Sequence, residues 1–395
     1  MMRHGRNAVC YAKAGTLTMS SSCRSLYVHV PFCRRLCGYC DFYSQVLDPG
    51  AVGPLVDAVL AELAAATCTG GFAVDTIFVG GGTPTVLPAD QLARLLAALR
   101  ACAPGRDVEF TVEANPATVT AEIADVLVGA GVNRVSVGAQ SFNPDELKVL
   151  DRTHRPEQVS QTLATCRRAG IRRLSLDLIF GIPGQTLASW RQSLHAALKL
   201  EPEHMSCYGL TYEPGTLLRE RLDAGAVLRV DPDLEADMYE TTIDVLAAAG
   251  LAHYEISNFA RPGAECRHNL RYWHNDPYLG LGPAAAGFLD EVRYKNVADT
   301  AAYVAAIQGA RSPRVEEERL PPERRARETA MLEMRLTAGI DRRRFADRYG
   351  QDPAALFAAA LEPHRADGLL VVDETGIRLT RRGLLLADTV IADFL

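Results

Sequence analysis

Cys33-Arg-Arg-Leu-Cys37-Gly-Tyr-Cys40 places three of the chain's ten cysteines within eight residues, whereas Cys10, Cys23, Cys68, Cys102, Cys166, Cys207 and Cys266 are scattered. Three thiolates on one loop can converge on one metal centre. Structural zinc normally takes four protein ligands, while a cubane iron–sulfur cluster can hold three irons on cysteines and leave the fourth free. That iron can chelate the amino and carboxylate groups of S-adenosylmethionine (SAM), so that one electron cleaves a sulfur–carbon bond and yields a 5′-deoxyadenosyl radical. The run Gly80-Gly81-Gly82-Thr83 suits the same chemistry, because missing side chains let a ligand's amino group approach backbone carbonyls.

Elements able to position such a loop are visible from Ser25 to about Tyr212, where short β-branched runs alternate with longer Ala/Leu-rich helical stretches. Strands are expected at Leu26–Val30, Thr76–Val79, Glu109–Val112, Arg134–Val137, Leu174–Ile179 and Met205–Leu210. Helical stretches such as 52–66, 89–101 and 187–200 would cover the outer face. The fold class is therefore α/β, a partial (β/α)6 barrel two units short of a complete one. Residues just after each strand are polar or glycine-rich, among them Cys33, Gly81, Glu113, Gln140 and Asp177. Turn and cap chemistry accounts for each singly; repetition at six strand ends on one rim points to a shared site.

The division expected is a disordered extension or upstream start over 1–24, the barrel over 25–230, a connecting segment over 231–310, and a mostly helical, winged-helix-like domain over 311–395. Arg311–Arg327 reads as a linker, and the runs 368–372 and 377–380 as the wing hairpin. A winged helix often binds DNA, but 311–395 holds 15 basic and 15 acidic side chains, so a phosphate-binding surface is absent and no nucleic-acid partner is expected. The net charge of −6 over 395 residues, 48% apolar and 23% charged, argues against a polybasic membrane binder. No run approaches the roughly 18 unbroken apolar residues of a spanning helix, and no secretory signal is evident. A cytoplasmic protein, not an integral membrane one, is expected.

The C-x3-C-x2-C spacing, with an aromatic residue before the third cysteine, is the signature of the radical SAM superfamily. Further strings, Tyr27-Val-His-Val-Pro-Phe-Cys33, Gly80-Gly-Gly-Thr-Pro-Thr85, Glu113-Ala-Asn-Pro116, Val137-Gly-Ala-Gln-Ser-Phe142 and Asp177-Leu-Ile-Phe-Gly-Ile-Pro183, resemble the oxygen-independent coproporphyrinogen III oxidase family over about residues 25–395. The resemblance implies a [4Fe–4S] cluster on Cys33, Cys37 and Cys40, with Tyr27, Gly81 and Glu113 against its SAM and Gly82 and Thr83 close by. Gln140, Arg152 and Asp177 match positions that hold a second SAM in the oxidase. The oxidase carries another cysteine two positions after the third; here Asp41-Phe42 follows Cys40. Loss of that cysteine marks the HemW branch, whose members are understood as heme chaperones delivering heme to client hemoproteins such as respiratory enzymes.

Cys266-Arg-His268-Asn-Leu-Arg-Tyr272-Trp273 contains H-N-x-x-Y-W, a second string typical of that branch. Heme takes an axial imidazole or thiolate, stacks on aromatic rings and pairs its propionates with arginine. His268 is thus the heme candidate, with Cys266 as an alternative ligand, Arg267 or Arg271 as propionate partners, and His253 and His274 as weaker candidates. From the residues alone a histidine hydrogen-bonded into a packed segment is the better reading; the resemblance reverses it. Relatives usually carry a histidine after the Y-L-G-x-G run, where this chain reads Pro283-Ala-Ala-Ala286. The expected function is heme chaperoning, as a monomer or homodimer. The alternatives are the oxidase itself, a radical methyltransferase or cyclopropanase, and a metal-binding regulator.

Overall fold

The computed structural model describes residues 23–67 and 74–394; the expected 1–24 extension lies, except for Cys23 and Arg24, outside them. Six parallel strands form the barrel wall: β1 (Ser25–Val30), β2 (Thr76–Gly81), β3 (Glu109–Ala114), β4 (Arg134–Gln140), β5 (Arg173–Phe180) and β6 (His204–Gly209). Each contains or overlaps its expected strand. The sheet has nine strands, however, because the connecting segment adds three: β7 (Ala252–Glu255) and β8 (Asn258–Ala260), where the sequence reads as a short extended run over 253–259, and β9 (Leu279–Leu281). The order is β9-β1-β2-β3-β4-β5-β6-β8-β7, with β9 parallel to β1, and β8 and β7 antiparallel at the other edge. Short strands such as Leu-Gly-Leu carry too few residues to show a period, so only pairing reveals them.

Alternation along the strands divides the wall into two faces. Leu26, Val28, Ile77, Val79, Phe110, Val112, Val135, Val137, Leu174 and Leu176 are buried in the main core, which the covering helices complete. Facing the other way are Tyr27, Phe78, Glu113, Arg134, Ser136, Asp177, His204 and Ser206, which line a cavity inside the barrel. Register aligns Glu113, Ser136, Ser175 and His204 across four neighbouring strands. The interior is thus polar, unlike a barrel filled with branched aliphatic side chains.

Pro49–Thr67 is the one described helix long and apolar enough to cross a membrane. Its Val52, Leu55, Val56, Val59 and Leu63 are buried in the main core, and its Glu62 accepts from Gly282 N (2.9 Å), Asn296 Nδ2 (2.9 Å) and the Tyr303 hydroxyl (2.6 Å).

The base of the barrel is closed by a short helix, Arg267–Trp273. Its first backbone N–H groups meet a buried side chain of β3: Glu109 accepts from His268 N at 3.0 Å and Arg267 N at 3.1 Å. A helix start leaves such donors unpaired, and a carboxylate there also favours the positive end of the helix dipole. The far end of the helix meets the C-terminal domain. Arg335 lies 5.0 Å over the Trp273 ring, His274 Nδ1 is 3.3 Å from Glu333, and Arg348 donates to the carbonyls of His274 and Asn275.

The C-terminal domain has its own core, including Met334, Ile340, Phe345, Phe357, Ile377 and Phe394. Strands Leu370–Val372 and Gly376–Leu379 make the wing, turned by Asp373, whose Oδ1 accepts from Thr375 N and Gly376 N at 2.9 Å. The stretch 311–327 is not a linker. Arg314–Arg319 pairs with Val292–Asn296, setting Glu318 opposite Arg293 and Glu316 opposite Lys295, and a helix spans Pro322–Glu333. Opposite charges facing across strands stabilise a ladder, and a linear reading of charge density misses that. Glu109→Ala is expected to lower unfolding free energy by about 3 kcal/mol, because it strands buried N–H donors, and Glu109→Gln by less; urea unfolding checks both.

Candidate functional site

The cysteine loop leaves the C-terminal end of β1. A two-residue parallel ladder closes its base, with Gln45 N donating to Pro31 O and Leu47 N to Cys33 O, both at 2.8 Å. Cys40 N donates to Cys37 O (3.3 Å), turning these two residues toward one another. Gly38 packs closely there: a Cβ would fall 2.2 Å from Asp151 Oδ2 and push that carboxylate aside, while Gly38 O accepts from Leu218 N at 2.7 Å. The three cysteines are half-buried. Cys33 Sγ lies 3.6 Å from Thr83 Oγ1, and Cys37 Sγ accepts from Arg152 Nη1 at 3.4 Å. No three Cys, His, Asp or Glu side chains among the described residues are already gathered as a closed metal site.

Burial raises the Cys33 thiol and pushes Cys40 up to about 11. Such thiols ionise when a cationic centre compensates for the burial. Three adjacent sulfur donors therefore fit a cluster that takes three cysteines. The glycine run fits as well. Gly82 N donates to Val30 O (2.8 Å) and Thr83 N to Phe32 O (2.7 Å), so the run lies directly against the strand leading into the cysteine loop. A Cβ at Gly82 would stand 2.7 Å from Phe32 O and 2.8 Å from Val30 O; one at Gly81, where φ is +101°, would meet the His29 ring. These close approaches require glycine.

The remaining expected residues of this site converge on the same end. Glu113 Oε2 accepts from Gly81 N at 3.1 Å, and the Ser136 hydroxyl donates to Asp177 Oδ1 at 3.0 Å. Burial first, then Asp177, holds the Glu113 carboxyl up to about 7. Tyr27 lines the cavity with both acids, and its hydroxyl lies 3.1 Å from His29 Nδ1. Arg152 Nη2 donates to Asn115 Oδ1 at 3.0 Å and to Gly138 O. Gln140 sits at a bulge of β4 with φ +62°, its amide beside Gly138. Phe32 is fully buried in the main core and Tyr39 packs against a smaller apolar cluster, whereas Phe42 is 67% exposed.

The heme candidates stand elsewhere. His268 is fully buried in the basal helix, stacked on Phe78 at 5.3 Å. Its Nδ1 is 3.0 Å from Thr76 Oγ1 and its Nε2 2.8 Å from the Tyr272 hydroxyl, so both ring nitrogens are engaged. Burial lowers its pKa to about 3, keeping it neutral. With both nitrogens of His268 engaged within the fold, an axial role would require Thr76 or Tyr272 to give way. Cys266 is fully buried against Glu109, Arg267 pairs with Asp107, and Arg271 pairs with Asp75 and Asp276. His253 stacks on Phe259 with Nε2 3.2 Å from Ile256 O, and His274 pairs with Glu333. Arg134, Ser136, His204 and Ser206 escaped the sequence reading; the period-two polar pattern Arg134-x-Ser136 and His204-x-Ser206 was the available signal.

Residues 27–197 match the Radical SAM superfamily and residues 320–386 the HemN C-terminal domain. The structure resembles that of coproporphyrinogen III oxidase (HemN) from Escherichia coli, described as a radical SAM enzyme. The TM-score is 0.84 and the identity 25%, covering 96% of this chain and 91% of that one. Fold and rim define a radical SAM protein with a HemN-type C-terminal domain. The chain is 38% identical to the heme chaperone HemW of Bacillus subtilis over 94% of its own length and 99% of that protein's, and 38% identical to HemW of Mycobacterium tuberculosis over 94% of each. It belongs to the HemW family.

Gly82→Ala is expected to displace the cysteine loop, costing about 1–3 kcal/mol by overpacking and reducing iron and sulfide bound per chain after anaerobic reconstitution. For Glu113, a carboxyl held at about 7 against an ordinary 4.5 favours the folded state while protonated. Its contribution is complete below pH 4.5 and lost as pH rises through 7. Glu113→Gln should flatten that segment of the stability–pH curve in cluster-free protein and make it more stable than the parent at pH 8, on the order of 3 kcal/mol.

Proposed function

We propose that this chain is a cytoplasmic heme chaperone whose barrel carries a [4Fe–4S] cluster on Cys33, Cys37 and Cys40. The observation that carries the reading is similarity to named heme chaperones along nearly the whole chain, barrel and C-terminal domain together. Asp41-Phe42, where the oxidase has its further cysteine, supports it. In this reading Tyr27, Gly81, Gly82, Thr83 and Glu113 hold SAM at the cluster, and Gln140, Arg152 and Asp177 line the adjoining space. When bound, the cluster supplies one-electron reduction of the sulfonium.

The chain's own groups orient and shield. The glycine run offers backbone close to the ligand, Asp177 accepts from Ser136, and Arg152 brings a positive charge to the sulfurs. Glu113 can hold a proton near neutral pH at its free carboxyl oxygen. Heme is cargo, passed to hemoprotein clients, and His268 enters as part of the basal helix. A monomer or homodimer completes the proposal.

One anaerobic experiment tests it, pairing a heme titration with turnover of coproporphyrinogen III, SAM and reductant. Saturable heme binding without protoporphyrinogen is expected; formation of that product would assign the oxidase activity instead. Reconstituted protein should be brown, and replacing Cys33, Cys37 and Cys40 with Ala should remove the colour. His268→Ala should lower thermal stability without a selective loss of heme.

A further inference from the structure

We propose that the floor of the barrel cavity is a binding site for a small monocarboxylate, gripped by the Arg134 guanidinium and the Asn269 amide. The inference does not depend on the heme-chaperone reading. The cavity measures about 360 Å³ and extends from Tyr27, Glu113 and Asp177 to a floor formed where the strands begin, at Arg134 and His204, and by Asn269 and Tyr272 of the basal helix.

Arg134 is 3% exposed, and among the described residues its guanidinium makes no hydrogen bond, Glu109 and Asp177 acting on it only through their charge. Its neighbours are already occupied. Glu109 holds the start of the basal helix, Asp177 accepts from Ser136, and Tyr272 meets His268. His204 has Nδ1 2.8 Å from Ser175 Oγ and Nε2 2.8 Å from the Tyr254 hydroxyl. Against that saturated background, the side-chain amide of Asn269 is also without a hydrogen bond among the described residues, and it lines the same floor.

A buried cation with five unused N–H donors is costly, and a planar fork of that shape matches a carboxylate with two parallel bonds. Glu109 and Asp177 act on the charge of Arg134 from a distance without taking its donors, so a ligand of low charge is tolerated better than a dianion. The volume sets the size limit. It lies near the lower end of small-molecule sites, roughly 300–1,000 Å³, which suits a small acid. Asn269 of the H-N-x-x-Y-W string thereby acquires a role toward a small ligand, while His268 beside it holds the floor in place.

The test is a titration of the anaerobic full-length protein with propionate labelled with ¹³C at the carboxylate, followed by NMR at constant ionic strength. Saturable broadening is expected, displaced by unlabelled acetate but not by chloride or inorganic phosphate. Arg134→Gln should abolish it, and Arg134→Lys and Asn269→Ala should each weaken it about tenfold or more, as loss of a hydrogen bond to a charged group does. Absence of saturable broadening in the parent, or equal broadening in a folded Arg134→Gln, overturns the proposal. If Arg134→Gln does not fold, parental affinity in both Arg134→Lys and Asn269→Ala overturns it equally. Displacement by phosphate as readily as by acetate would also overturn the monocarboxylate assignment.

Discussion

A barrel whose inner face is polar must be sealed at one end and open at the other, and the seal here depends on the carboxylate of Glu109. It lies at the start of β3, 1% exposed, and receives the first N–H groups of the helix that closes the base. Without an acceptor those donors would be buried unpaired, a cost comparable to a sizeable share of a domain's net stability. Once the helix is docked, His268 follows into contact with Thr76, Phe78 and Tyr272, and the cavity acquires its floor.

Sealing the base leaves the opposite rim for ligands. There the physical requirement is close approach: the glycine run lies against Val30 and Phe32, where any side chain at Gly82 would collide with backbone. The loop carrying the three cysteines is tied at its root by a two-residue ladder and held at Gly38 by Leu218 N, while its exposed residues Arg34, Arg35 and Phe42 face solvent. Rigidity at the root and exposure at the tip suit a loop that must receive a cluster and still present its edge to the cavity mouth.

The basal helix also joins two bodies. Its first half belongs to the barrel through Glu109 and Thr76; Trp273 and the two residues after it belong to the C-terminal domain through Arg335, Glu333 and Arg348. A string that reads as a heme site by residue type also joins, in three dimensions, the barrel to the C-terminal domain. Histidine, tyrosine and tryptophan serve that task for the reasons they serve ligands: each pairs an apolar body with a polar tip that needs a partner.

The barrel strands were legible from alternation and from glycine and proline punctuation, and the cysteine trio from spacing, because both signals are local along the chain. The polar inner face was written in the same alternation at Arg134-x-Ser136, yet which face points inward is decided by sheet closure. The role of His268 and the strand Leu279–Leu281 were not legible, since each rests on partners such as Thr76 and β1 some 190 to 250 residues away in sequence. Sequence by itself determined the cysteine trio, the glycine run and the six strands of the wall. Tertiary structure alone decided that both ring nitrogens of His268 are engaged and that Arg134 makes no side-chain hydrogen bond among the described residues, because the hydrogen-bond state of a buried group depends on which distant atoms the fold brings against it.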